Sequence, residues 1–160
     1  MTVWRLLTGL KELIEEEFAD CELYFYDENS GDKTATLNVH IGTLSERDTD
    51  RDWPHVIIGL PDDAEEGEET HDIPLVIACG ACSEPQAGDK EGALYEALRL
   101  VERVKLVLMR NLIVANSFRL QLPLKWGVED ISSRTTGYAL AGIEAKYRSG
   151  SSYPALNTAE

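Results

Sequence analysis

Hydrophobic positions near the start of the chain recur at helical spacing. Val3, Leu6, Leu7, Leu10, Leu13, Ile14 and Phe18 fall three or four residues apart, with Lys11, Glu12, Glu15 and Glu16 between them. That set shares one helix face, which predicts an amphipathic helix capped by Thr2 and ended near Asp20 and Cys21. Residues 22–27 are short and aromatic-rich, and in 34–41 Leu37, Val39 and Ile41 alternate with polar residues. Both read as strands, joined into a hairpin through the turn residues Asn29, Ser30, Gly31 and Asp32. Residues 44–52 are polar and predict a solvated loop. Residues 55–60 and 73–82 are two β-branched runs that predict a second hairpin around a charged connector, with Pro74 at a strand start or edge.

The strongest helical pattern covers residues 90–111. Leu94, Ala97, Leu98, Val101, Val104, Leu108 and Leu112 form its stripe, Asp89 caps it, and charged residues occupy the other faces. At 1.5 Å per residue it is about 33 Å long, enough to span a small domain. Phe118, Leu120, Leu122 and Leu124 then alternate with Arg119, Gln121, Pro123 and Lys125. In residues 137–148, Ala139, Ala141, Ile143, Ala145 and Tyr147 share one strand face. Strands grouped into runs around a long helix predict an α+β fold. Its sheet is mainly antiparallel and covered on one face by the N-terminal and central helices. One domain is expected over residues 1–148, with a flexible tail at 149–160 that is rich in Ser and Gly.

Composition narrows the functional classes. The 160 residues carry 15 basic and 29 acidic side chains, a formal charge of −14. Phosphate neutralisation needs clustered Lys and Arg, so a general nucleic-acid binder is disfavoured, and an anionic membrane surface would repel the chain. No apolar run approaches the ~18 residues of a membrane span, and the opening has no uninterrupted apolar segment of the secretory kind. The three cysteines, Cys21, Cys79 and Cys82, argue for a reducing compartment, the cytoplasm.

Candidate chemistry is sparse. Cys79 and Cys82 form a CxxC, but no second pair completes a zinc set, and they end an apolar strand rather than open a helix. A buried or incidental role is expected. His40, His55 and His71 are isolated, and no nucleophile elbow or phosphate-binding glycine motif occurs. Neither enzymatic activity nor a cofactor is expected. Residues 62–69 hold six acids, Asp62, Asp63, Glu65, Glu66, Glu68 and Glu69. Three readings of this run stand: a solvated linker, a surface that contacts a basic partner or faces a space meant to exclude bound DNA, or a divalent-cation site without EF-hand geometry.

Several stretches together resemble a known family. Residues 100–104 (Leu-Val-Glu-Arg-Val) lead into 118–126 (Phe-Arg-Leu-Gln-Leu-Pro-Leu-Lys-Trp), followed by Gly142, Ile143 and Glu144. Ahead of them stand Trp53, Pro54, His55 and Val56, an acidic loop and an apolar strand. This order resembles the tail-terminator (tail-completion) proteins of long-tailed bacteriophages and prophages over residues 53–147, most closely over 98–126. The resemblance implies a non-enzymatic α+β subunit that forms a hexameric ring in the virion tail after synthesis in the bacterial cytoplasm. Such a ring caps the tail-tube protein, stops its polymerisation and presents a surface to the head–tail connector, with DNA only as passing cargo. Within a ring the acidic run would face the lumen or seek a neighbour's Arg47 or Arg51. An alternative from another class is an acidic DNA mimic that occupies a basic DNA-processing protein; it calls for carboxylates spread over one face.

Overall fold

The computed structural model describes residues 2–27, 31–42, 54–61, 72–83, 91–131 and 137–149. In chain order the elements are α1 (Thr2–Glu17), β1 (Leu23–Asp27), β2 (Gly31–Ala35), β3 (Asn38–Ile41), β4 (His55–Gly59), β5 (Asp72–Ser83), α2 (Glu91–Arg110), β6 (Ile113–Val114), β7 (Phe118–Ile131) and β8 (Gly137–Ser149). The fold is α+β, built on a six-stranded sheet of order β3-β4-β5-β8-β7-β6, with β1 and β2 as a separate two-stranded sheet.

Long strands make the centre. Every residue of β5 has a partner on β8, from Asp72 opposite Arg148 to Ser83 opposite Gly137. β4 pairs antiparallel with β5 and forms the expected second hairpin. Pro74 sits where β5 runs past the end of β4, so its missing N–H lies in a stretch paired by β8 alone.

The first hairpin differs from the sequence expectation. β1 pairs with β2, but residues 34–41 are not one strand; β2 ends at Ala35, and β3 joins the main sheet parallel to β4. The amide of Asn38 donates to the Pro54 carbonyl, which sets that register. Val39 and Ile41 thereby turn inward towards the core, the alternation the sequence shows.

One apolar cluster unites the helices with one sheet face. Leu6, Leu10, Ile14 and Phe18 of α1 and its end meet Ala93, Ala97, Leu100, Val101, Val104, Val107 and Leu108 of α2. Both sets pack on Leu75, Ile77, Cys79, Ala141, Ile143 and Tyr147 of the sheet. The α2 stripe is rotated from the one expected. Leu94 and Leu98 are half-buried at its margin, while Ala93, Leu100 and Val107 face inward, and Leu112 falls beyond the helix and is exposed. Small Ala93 and Ala97 bring the helix close to the sheet, so its centre line shifts towards them.

β4 and the adjoining part of β5 are buried on both faces. His55, Ile57, Ala78, Cys82 and Leu140 lie on the side away from the helices and are nearly inaccessible. This accounts for the continuous apolar run of residues 55–60, where one-sided burial would give alternation. Tyr147 is wholly buried and its hydroxyl has no partner among the described residues; burial pushes that hydroxyl well above its ordinary pKa. A buried unsatisfied hydroxyl costs about 1–3 kcal/mol, so the ring's packing must outweigh it.

Val101 is buried at the centre of α2 and Leu98 at its margin, which separates two substitutions. Val101→Asp is expected to place an uncompensated charge in the core and cost several kcal/mol, enough to prevent folding. Leu98→Asp is expected to fold, because its side chain can turn to water. Thermal unfolding followed by circular dichroism checks both, and equal losses would contradict the packing.

Candidate functional site

The residues singled out from sequence that the structure describes do not come together as a chemical site. Cys79 and Cys82 are three apart on one strand and therefore point to opposite faces of β5; Cys79 joins the helix-side core and pairs across from Ala141, while Cys82 lies opposite Tyr138. That separation suits neither a shared metal ion nor a disulfide between them. His40 and His55 stand on adjacent strands, on the face away from the helices, and His71 lies outside the described residues. Among the described residues no group of three or more His, Cys, Asp or Glu stands together. The six acids Asp62, Asp63, Glu65, Glu66, Glu68 and Glu69, with Arg47 and Arg51, also lie outside the described residues. So do Trp53 and the loop 44–52, and of the tail only Ser149 is described, as the last residue of β8.

What the structure assembles is a junction between the two helices. Arg103 of α2 lies with its guanidinium 4.4 Å from the ring centre of Phe18. It donates one hydrogen bond to the Cys21 sulfur at 3.2 Å, a second to the Glu17 carboxylate at 3.1 Å and a third to the Glu17 carbonyl at 3.4 Å. Arg110, two turns along α2, approaches the same carboxylate at 3.8 Å. A cation at the C-terminal end of α1 also meets the negative end of that helix's dipole. Hydrogen bonds to Cys21 and then Glu17 raise the Arg103 pKa above its already high ordinary value, against partial burial. Beside this junction is a cavity of about 20 Å³ bordered by Phe18, Leu23, Tyr24, Pro54, Ala81 and Leu100. That is room for one water and not for an organic ligand.

At its other end α1 touches the far edge of the sheet. Gly9 permits this: a Cβ there would stand 2.9 Å from Cγ1 of Val114. Arg5 donates to the Ala115 carbonyl at 3.2 Å, inside the β6–β7 turn, where Ala115 and Asn116 adopt φ of 54° and 61°. Asn tolerates that left-handed conformation, whereas at Ala it costs about 1 kcal/mol. An open groove of about 340 Å³ runs between this turn and α1, lined by Thr8, Glu12, Leu13, Glu16 and Asn111. No nucleophile–base pair lies in it.

The remaining feature is an open edge. β6 covers β7 only at Phe118 and Arg119. From Gln121 to Ile131, β7 is paired on one side by β8, and no described strand pairs its other side. The ladder is interrupted between Gln121 and Lys125, around the cis Leu122–Pro123 bond. The expected alternation breaks there: Phe118 and Leu120 are buried, Leu124 is half-buried, and Leu122 is exposed. Trp126 and Val128 face the helix side and are also about half exposed, at 53% and 47%. Lys105 of α2 caps the Trp126 ring at 4.4 Å, and Met109, one turn on, is exposed beside it. The alternation over residues 118–125 reads as one unbroken register, and no residue type announces the two-residue interruption.

The junction is testable. Arg103→Met retains the apolar stem and loses the charge and donors; its urea midpoint should correspond to a loss of about 2 kcal/mol. Arg103→Lys should recover only part of that, because an ammonium lacks the planar fork that reaches Cys21 and Glu17 together. Unchanged stability in Arg103→Met would show that the contacts are incidental.

Comparison with known proteins finds no family model that matches the chain and no curated protein with significant similarity to it.

Proposed function

We propose that this chain is a structural subunit of the tail-terminator (tail-completion) type, without enzymatic activity or a cofactor. Copies assemble into a ring, a hexamer by the family resemblance, that caps the tail-tube protein and stops its polymerisation. The ring then offers its upper face to the head–tail connector. In this reading the protein is made in the bacterial cytoplasm, resides in the virion tail and meets DNA only as passing cargo. The six acids from Asp62 to Glu69 belong to the lumen or to a neighbour contact with Arg47 or Arg51.

The observation that carries the reading is the one-sided β7 strand. Eleven residues, 121–131, extend beyond β6 with no described strand on that flank, and Leu122, Trp126 and Val128 are each about half exposed along them. A long edge with apolar side chains promotes uncontrolled pairing unless another chain covers it. An assembling subunit has a use for such an edge. The sequence resemblance is strongest over 98–126, which includes the beginning of this edge. The DNA-mimic alternative fits less well: the outward face of β7 and β8 bears Arg119, Lys125, Lys146 and Arg148, all exposed.

The direct experiment adds the purified protein to tail-tube protein during polymerisation and measures tube lengths in negative-stain images. Shortened tubes with a ring of density at one end are expected. Tubes of unaltered length with bare ends would overturn the proposal.

A further inference from the structure

We infer that the outer face of the β7–β8 ladder is a docking surface for the acidic α1 face of a second copy of this chain, giving a head-to-tail contact. The inference rests on the ring reading above and names the surfaces that would meet.

The chain's overall charge is −14, yet its cations are not evenly spread. On the side of the sheet away from the helices, Arg119 stands directly opposite Arg148, Gln121 opposite Lys146, and Lys125 opposite Glu144. All four cations are exposed. Two arginines directly across a ladder repel each other, a placement that costs stability unless an anion lies between or above them. Asp72 answers one of them: Arg148 Nε donates to its carboxylate at 2.8 Å and Nη2 at 3.4 Å. Arg119, Lys125 and Lys146 make no ion pair among the described residues, whereas the cations of α2 are engaged, Arg99 with Glu96, Lys105 with Glu102, and Arg103 and Arg110 with Glu17.

The complementary surface is on the same chain but on the other side of the sheet. Glu12, Glu15, Glu16 and Asp20 are exposed on α1 and just past its end; Lys11 stands 4.0 Å from Glu15, and Arg5 borders the same groove as Glu12 and Glu16. α1 packs on the helix side of the sheet while the cations stand on its outer face, and among the described residues no ion pair joins these acids to Arg119, Lys125, Lys146 or Arg148. Between molecules the two surfaces can meet, and because they differ and belong to opposite sides of the sheet, the contact is heterologous and propagates in one direction, which closes into a ring or runs on as a filament.

Size favours a contact of this cooperative kind over a tight dimer. With strands about 4.8 Å apart and same-face residues about 6.8 Å apart, the charged grid covers on the order of 200 Å². A stable two-body interface buries about 800 Å² per partner. The exposed Leu122, next to the ladder interruption, extends the surface towards the open edge of β7. Charge supplies register and partner choice, and the edge supplies apolar area.

Sedimentation velocity on the full-length chain tests this. Wild-type association should weaken about tenfold or more when salt is raised from about 50 mM to about 500 mM, as surface pairs are screened. Lys125→Glu with Lys146→Glu, and separately Glu12→Lys with Glu16→Lys, should each dissociate to monomer at low salt while keeping the wild-type circular dichroism spectrum. Mixed in equal amounts, the two double variants should assemble again, because each then presents the charge the other lacks. Wild-type assembly that both variants retain, or a mixture that stays monomeric, would overturn the pairing of these faces and leave ring formation itself standing. A wild-type chain that stays monomeric at millimolar concentration would overturn the ring reading too. Loss of duplex-DNA binding in the Lys125/Lys146 variant, with no change in mass, would assign the cations to nucleic acid instead.

Discussion

A single helix has to satisfy both ends of the sheet. α1 packs on β3 and β4 at one edge and reaches β6 at the other, where Gly9 lies against Val114 and Arg5 holds the Ala115 carbonyl. The sheet must curl for those edges to approach one helix, and burial of Leu6, Leu10, Ile14 and Phe18 between them is the apolar gain that holds the curl. Arg103 fixes the other end, tying the last turn of α1 and Cys21 to α2. Glu17 thus meets Arg103 and Arg110 of α2 at one end of α1, and Arg5 meets the turn after β6 at the other. The core, the helix packing and the position of the β6–β7 turn all follow from this closure.

Closure has a cost at the periphery. β6 is only two residues long, enough to meet α1 but not to cover β7, so the longest strand of the sheet keeps a flank that no other described strand pairs. The convex outer face is left to polar and charged residues on β7 and β8, and those are mainly cations in an acidic chain. An open edge and a basic face adjoin on one strand, while the acids of α1 belong to a helix on the opposite side of the sheet. Catalytic sites gather functional groups at a point; among the described residues the distinguishing groups are spread over surfaces, which is compatible with the proposed role in assembly.

Much of the architecture was legible because burial writes itself as periodicity. The α1 set, the α2 helix within one residue at each end, and the inward residues 139, 141, 143, 145 and 147 of β8 all follow from spacing. The failures have separate physical causes. Residues 34–41 split because a parallel partner, β4, arrives from more than a dozen residues further along the chain, and nothing local encodes a non-local pairing. Leu98 and Leu122 fall in phase with their apolar neighbours along the chain. Small alanines re-centred the helix in one case, and a break in the ladder re-aimed the side chain in the other. The Arg103 junction gave no signal, since an arginine 82 residues from its cysteine partner belongs to no motif. The basic face could have been read from Arg119, Lys125, Lys146 and Arg148 had each strand's outward residues been compared across the pair. The acidic run at 62–69 drew attention by density alone, and it lies outside the described residues.

The claim on which the account turns is that the β7 edge is open in the single subunit and covered in the assembly. Amide hydrogen exchange measures this directly, comparing the dilute chain with the same chain on capped tail tubes. In the dilute chain, alternate amides of residues 121–131 should exchange quickly while those of residues 76–80 of β5 stay protected, since that stretch is paired on both sides, by β4 and by β8. In the assembly, protection should rise across residues 121–131 and leave β5 unchanged. Full protection of β7 in the dilute chain, or none gained on assembly, would contradict the account.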